Sequence, residues 1–209
     1  KKWTDEGYEV IHLSIGSGIS SSFQNSCIAA QELGNVYPID SGNLSTGIGL
    51  LVIEAAERIA KGMPAAQICQ EINALKAKVQ SSFIIDSLTY LYEGGRCSAL
   101  AALGANLLNI KPCIEVDNSS GKMSVGKKYR GALSRVLQQY TRDKLTERTD
   151  IKYDRIFITH SGTSAENIDL VRKTIEETAD FKEILVTRAG CTISSHCGPN
   201  TLGILFMTN

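Results

Sequence analysis

Two rhythms of apolar and polar positions divide this chain. Val10, Ile11 and Leu13 form a short apolar run that enters IGSGISSS (Ile15–Ser22), a loop dominated by glycine and serine. Beyond it Phe23, Cys27 and Ala30 recur at helical spacing, so the stretch reads as strand, loop and helix, stopped at Leu33-Gly34. Val36–Asp40 supplies the next strand, and Pro38 marks it as irregular or near an edge. A strand–helix–strand crossover implies parallel strands. A second polar loop, Asp40–Gly47, leads into a helix expected to bury Ile48, Val52, Ala55 and Ile59 and to end at Lys61-Gly62. Pro64 opens another, whose stripe of Ile68, Ile72, Leu75 and Val79 carries it to residue 79.

Near Ser81 the grammar changes. Phe83–Ile85 reads as a strand, Leu88–Tyr92 as a short helix and Gly94-Gly95-Arg96 as a tight break. Ser98 is placed as the cap of a helix carrying Leu100, Leu103 and Leu107. Ile110–Val116 and Lys122–Lys128 flank Asp117–Gly121, a hairpin signature that brings in antiparallel pairing. A helix over Arg130–Thr146 turns Leu133, Val136, Leu137 and Tyr140 inward. Arg155–Thr159 is a strand, and Thr163-x-x-Glu166 forms a capping box before Ile168, Val171 and Ile175. Strand Glu183–Thr187, a loop at Ser194–Asn200 and a last strand at Gly203–Met207 complete the chain. The expected fold class is α/β. An incomplete parallel α/β first domain spans 1–80, and an α+β domain with a mixed or antiparallel sheet spans 81–209.

Composition narrows the function classes. The 209 residues are 43% hydrophobic, enough for one large domain or two small ones. With 22 basic and 22 acidic residues, no net field recommends nucleic acid or an anionic membrane as partner. The longest apolar run, Ile48–Ile53, is too short to span a bilayer, so no integral membrane segment is expected. Six cysteines without a CxxC pair fall mostly within apolar patterns and read as reduced core thiols of a cytoplasmic protein. Cys191, His196 and Cys197 match no common zinc spacing, and no metal is expected.

The first polar loop lies over a helix N-terminus. Unpaired N–H groups and the positive end of the helix dipole suit an anionic group there. Ser17, Ser20, Ser21 and Ser22 add hydroxyls, and Gly16 and Gly18 are read as letting a ligand approach the backbone. Gly16-x-Gly18-x-x-Ser21 lacks the third glycine of a dinucleotide fingerprint, and no P-loop follows. None of these serines has the flanking glycines of a nucleophile elbow. The bland alternative is a serine-rich helix cap with no ligand. The second polar loop belongs to the same sheet edge, where open α/β folds place ligands.

Read together, these loops resemble the DegV family of bacterial fatty-acid-binding proteins. Ile19–Ser26 (ISSSFQNS) is similar to the family's serine-rich loop LSGTYQSA, and Val36–Gly49 to its VxDS and S.G.G stretch. Leu88–Ile110 (LTYLYEGGRCSALAALGANLLNI) resembles LxYLxKGGRI followed by A.LG..L.I. Lys111-Pro112 and the hairpin come next in order. Lys128-Tyr129-Arg130 is similar to the KxR element, and Ser195–Asn200 (SHCGPN) to the H.GPG motif. Ser21 stands where the family usually has glycine. Asn200 replaces the last glycine of H.GPG and is expected to alter that loop's path. Family members begin with a further strand and helix bearing a TSQPS-like threonine loop. This chain, opening at Lys1-Lys2-Trp3, is expected to be a fragment starting after it.

The resemblance implies a long-chain fatty acid buried between two domains, its carboxylate at the serine loop. It also implies that the acyl group is presented to a separate ATP-dependent fatty-acid kinase, so the chain needs no catalytic residue or cofactor. Carried onto matching positions, the ligand-binding residues are Ser20, Ser21, His196, Gly198 and Arg96. Arg96 stands equally as a buried ion-pair partner. Lys128 and Arg130 are implied as groups that dock the kinase or steer phosphate, against a plainer reading as a solvated helix start. His12 and His160 are read as structural. Two enzymes compete with the carrier. One is a serine-dependent acyl hydrolase using Ser20 and His196, without an elbow or an orienting acid. The other is a dihydroxyacetone-kinase-like enzyme, whose substrate-holding histidine is not identifiable.

Overall fold

Parallel pairing of β1 (Val10–Ser14) with β2 (Val36–Asp40) runs in register from Val10 beside Val36 to Ser14 beside Asp40. The computed structural model describes residues 1–96 and 110–209. The helix expected after Ser98, with Leu100, Leu103 and Leu107, lies outside these residues, as does Cys97. The chain divides into two compact units, one of Lys1–Val79 with Asp117–Lys122, the other of Gln80–Val116 with Met123–Asn209. The tip of the later hairpin therefore belongs to the first unit.

In that unit a short exposed helix, α1 (Lys2–Asp5), precedes β1. Helix α2 (Ser22–Leu33) joins the two strands and stops at Gly34, whose φ of 65° suits glycine. Helices α3 (Thr46–Ala60) and α4 (Ala65–Leu75) complete the layer, and Ile39, Leu50, Leu51, Ile68 and Ile72 are its fully buried core. Burying each such side chain contributes about 1.5–3 kcal/mol.

Two sequence expectations fail here. The buried face of α3 is Gly47, Leu50, Leu51, Glu54 and Ala55; Ala55 is buried as expected, while Val52 and Ile59 are exposed. Apolar residues surround α3 at 48–53, so periodicity alone chose the wrong stripe. A buried carboxylate also hid the right one, because Glu54 is neutralised by Arg58, which reaches on to Glu71 of α4 at 2.7 Å. Helix α4 ends at Leu75, passes through a 3₁₀ turn at Lys76–Lys78, and Val79 opens strand β3 (Val79–Ile84) instead of closing the helix.

The second unit is built on a six-stranded sheet in the order β5-β4-β3-β8-β6-β7. Strands β4 (Ile110–Val116) and β5 (Met123–Arg130) form the hairpin, β6 (Ile151–His160) pairs in parallel with β7 (Glu183–Arg188), and β8 (Leu202–Thr208) runs antiparallel to β6. The sheet is thus mixed. Side chains alternate across it. Ile84 faces a cluster with Val136, Leu137 and Tyr140 of α6 (Leu133–Leu145) and Val171 and Ile175 of α7 (Ala165–Thr178). Phe83 faces the other side with Leu91 of α5 (Thr89–Glu93) and Cys197 of α8 (Cys191–Cys197). Tyr140, fully buried, donates to the Ser82 carbonyl at 2.7 Å and accepts the Ile204 N–H at 3.1 Å, tying β3 to β8.

Three local expectations are corrected in this unit. Helix α7 is capped by Ser164, which accepts the Asn167 N–H, and not by a box based on Thr163. Residues 194–197 lie on α8, where small polar residues concealed a helical turn. Cys191 is exposed, unlike the buried Cys113 and Cys197. Among the described residues no helix is long and apolar enough to cross a membrane.

Candidate functional site

The serine loop leaves β1 at the buried Ser14 and is anchored before it reaches the helix. The Ser17 hydroxyl donates to Asp40 Oδ2 at 2.6 Å and its N–H to Oδ1 at 3.1 Å. Gly42 N–H reaches the same Oδ1 at 3.0 Å. One carboxylate at the end of β2 thus joins both polar loops. Burial pushes the Asp40 carboxyl up, but the Ser17 hydroxyl, the Gly42 and Ser17 N–H groups and the Lys76 charge outweigh it. The carboxyl is held below its ordinary value.

Ser20 is half-buried and bonds within the loop. Its hydroxyl oxygen accepts the Ser22 N–H at 3.2 Å and shares a hydrogen bond with the Ser22 hydroxyl at 2.8 Å. Ser21, exposed, occupies the N-cap of α2, yet its side chain caps no backbone N–H. The first turn of α2 carries no acidic residue. A twelve-residue helix therefore presents its positive end beside two serine hydroxyls, with no carboxylate in its own first turn.

The two loop glycines have another job than the one read from the sequence. A Cβ on Gly16 would lie 2.9 Å from Gly121 Cα, and one on Gly18 would overlap the Ser120 carbonyl oxygen. Both make room for the β4–β5 hairpin tip. Asn118 of that tip accepts from the Asn43 side chain at 2.8 Å and donates to the Val79 carbonyl. Sequence reasoning singled out neither Asn43 nor Asn118. The polar runs DSGN and DNSSG were visible, but nothing local says that they meet.

In the second unit His196 sits, half-buried, in the last turn of α8, and its Nδ1 lies against Gly94, where a Cβ would collide with it. Gly198 ends the helix at φ 76°, packed on the Tyr90 ring, and its carbonyl accepts from the buried Ser161 hydroxyl. The structure thus brings His196, Gly198, Gly94 and Tyr90 together. Asn200 has φ 62°, a left-handed conformation that asparagine tolerates nearly as well as the glycine expected there. Its amide donates to Asp86 at 3.0 Å, and Asp86 also pairs with Lys111.

Arg96 is exposed and donates to the Gly94 carbonyl at 2.7 Å, so it is not a buried ion-pair partner. Lys128 and Arg130 are exposed on β5, the edge strand, on either side of the buried Tyr129. Arg130 closes this strand, and the helix expected to start there begins at Leu133. Charged side chains are what an open sheet edge ordinarily carries. His12 is exposed on β1, and His160 Nδ1 accepts the Gly162 N–H at 3.3 Å. Among the described residues no group of three or more His, Cys, Asp and Glu side chains is placed to hold a metal ion.

Comparison with known proteins adds a frame. The family model described as "Uncharacterised protein, DegV family" matches residues 1–209. A DegV domain-containing protein of Clostridium perfringens is 30% identical over 215 residues, covering 99% of this chain and 72% of the relative. The structure described as "Fatty Acid Binding of a DegV family Protein from Thermus thermophilus" aligns with a TM-score of 0.85 at 25% identity, over 100% of this chain and 74% of that one. The fatty acid binding DegV family protein of Streptococcus agalactiae aligns with a TM-score of 0.82 at 26% identity, over 100% of this chain and 73% of that one.

Proposed function

Because this chain belongs to the DegV family, we propose that it binds a long-chain fatty acid and presents the carboxylate to a separate ATP-dependent fatty-acid kinase. The observation that carries the reading is the start of α2, where Ser20 and Ser21 flank a positive helix end whose own first turn carries no acidic residue. The ligand class is supported by the Thermus and Streptococcus proteins, both described as fatty-acid-binding.

Ser20 accepts the Ser22 N–H. Either hydroxyl of the Ser20–Ser22 pair can donate to the other. In this reading Ser22 donates when the ligand is bound, which turns the Ser20 proton to a carboxylate oxygen, and such charge-assisted bonds are the strong ones. Ser21 offers a second hydroxyl. His196, Gly198 and Arg96 are the further ligand contacts in this reading, and Lys128 and Arg130 the groups that dock the kinase. Binding and presentation need no nucleophile and no cofactor in this chain. A cytoplasmic location belongs to the same proposal, supported by the free thiols of Cys27, Cys69, Cys113, Cys191 and Cys197.

Titration calorimetry with saturated fatty acids and their methyl esters tests it. Affinity should rise by about 0.8 kcal/mol per added CH₂ until the site is filled. The ester should bind at least about tenfold more weakly, since it cannot accept as a charged head. Equal affinity for acid and ester would end the carboxylate assignment, and no dependence on chain length would end the acyl ligand.

A further inference from the structure

The serine loop is shaped by residues a hundred positions later in the chain. Asn118 Oδ1 accepts from Asn43 Nδ2 at 2.8 Å, while Asn118 Nδ2 donates to the carbonyls of Val79 and, at 3.4 Å, Ala77. Asn43 is completely buried, and its own carbonyl accepts the Gly16 N–H at 2.8 Å. The serine loop is thus tied at its start to a residue that Asn118 holds. Farther along, the Ser120–Gly121 backbone lies against Gly16 and Gly18 with no room for a side chain. The tip is itself stiffened, since Asp117 accepts from both the N–H and the hydroxyl of Ser119 and from the Ser120 hydroxyl.

Ser20 takes no part in these contacts and bonds to Ser22 instead. The loop's backbone is held by Asp40 and Asn43 and packed against the hairpin tip, while the Ser20 hydroxyl bonds only to its neighbour Ser22. We propose that Asn118 is a positioning residue for head-group recognition, and that the Asp117–Gly121 tip holds the serine loop where Ser20 and Ser21 meet a carboxylate. The inference rests on the carboxylate reading above and adds its specificity element. Asn118 itself touches no ligand. It acts through Asn43 and Gly16.

Three variants of the intact chain separate positioning from mere stability. Asn118→Ala removes both halves of the amide. Gly18→Ala presses a methyl on the Ser120 carbonyl without removing any polar group. Asn118→Asp keeps the acceptor for Asn43 and loses the donors. Calorimetry with palmitate and methyl palmitate is read as an acid-to-ester affinity ratio. Asn118→Ala and Gly18→Ala should each lower palmitate affinity about tenfold while changing methyl palmitate by less than about twofold, so the ratio collapses. Asn118→Asp should melt at a lower temperature yet keep most of the ratio. A purely structural residue would move acid and ester together. If the natural chain prefers the acid and the ratio survives in the folded variants, the positioning role is wrong and the carboxylate reading stands. If the natural chain shows no preference, the carboxylate reading fails and takes the positioning role with it. Should Asn118→Ala not fold, Gly18→Ala decides.

Discussion

Ser17 and Asp40, 23 positions apart, are bound to each other twice, by a hydroxyl at 2.6 Å and an N–H at 3.1 Å on the two oxygens of one carboxylate. The Asp40 carboxyl titrates below its ordinary 3.8. A depressed carboxylate contributes stability that is fully present above its unfolded pKa and is lost as pH falls through the lower folded value. Melting temperature should therefore fall below pH 4 in the natural chain. In Asp40→Asn the fall should be shallower, starting from a neutral-pH stability lower by about 1 kcal/mol. Parallel acid profiles for the two proteins would show that this carboxylate does not join the loops in solution.

The proposed head contacts make separate demands. Ser20→Ala should weaken fatty-acid binding about tenfold, and His196→Ala should do the same. Calorimetry of each variant with the free acid reads the change. A Ser20→Ala protein with undiminished affinity would leave Ser20 only its local bonds to Ser22.

Asn200, with φ 62°, offers a test of the backbone. Replacing it by glycine or by alanine removes the same hydrogen bond to Asp86, but only alanine bears left-handed strain. Asn200→Ala should be less stable than Asn200→Gly by about 1 kcal/mol in urea unfolding. The opposite order would show that the positive backbone angle does not limit this turn.

Tyr140→Phe should cost about 1–3 kcal/mol, because it orphans the buried Ile204 N–H and removes the donor to the Ser82 carbonyl. A variant as stable as the natural chain would mean that water or a shift of β8 satisfies these groups.

Charge reversal at Lys128 and Arg130 should leave fatty-acid affinity within about twofold while slowing phosphorylation of the acid by the proposed kinase partner, the pattern of exposed charges that steer association. Loss of lipid binding in step with phosphorylation would place them with the ligand instead of the partner.

Much of this architecture was legible. The β1–loop–α2–β2 unit stood out because glycine and serine separate a strand rhythm from a helical one, and the motif order pointed to the family. What escaped depended on partners distant in the chain. Gly16 and Gly18 read as room for a ligand because the hairpin tip that fills that space comes a hundred positions later. The face of α3 was misread because Glu54 looks like a surface residue until Arg58 is seen beside it. Val79 continues the helical stripe of α4, yet its place in β3 is fixed by sheet neighbours that local periodicity does not contain. The turn at 194–197 hid its helix because small polar residues suit loops equally well.

That Asp117–Lys122 belongs with the first unit bears on the order in which the chain can fold. During synthesis residues 1–79 emerge before the segment that fills the space beside Gly16 and Gly18. At ordinary elongation rates of about 5–20 residues per second, roughly 2–8 s pass between Val79 and Asp117. Through that interval the serine loop lacks its packing partner and Asn43 lacks the Asn118 side chain. The nascent first unit then holds its serine loop through Asp40 and the Asn43 carbonyl alone. Its completion waits on a long-range closure whose entropic cost slows folding.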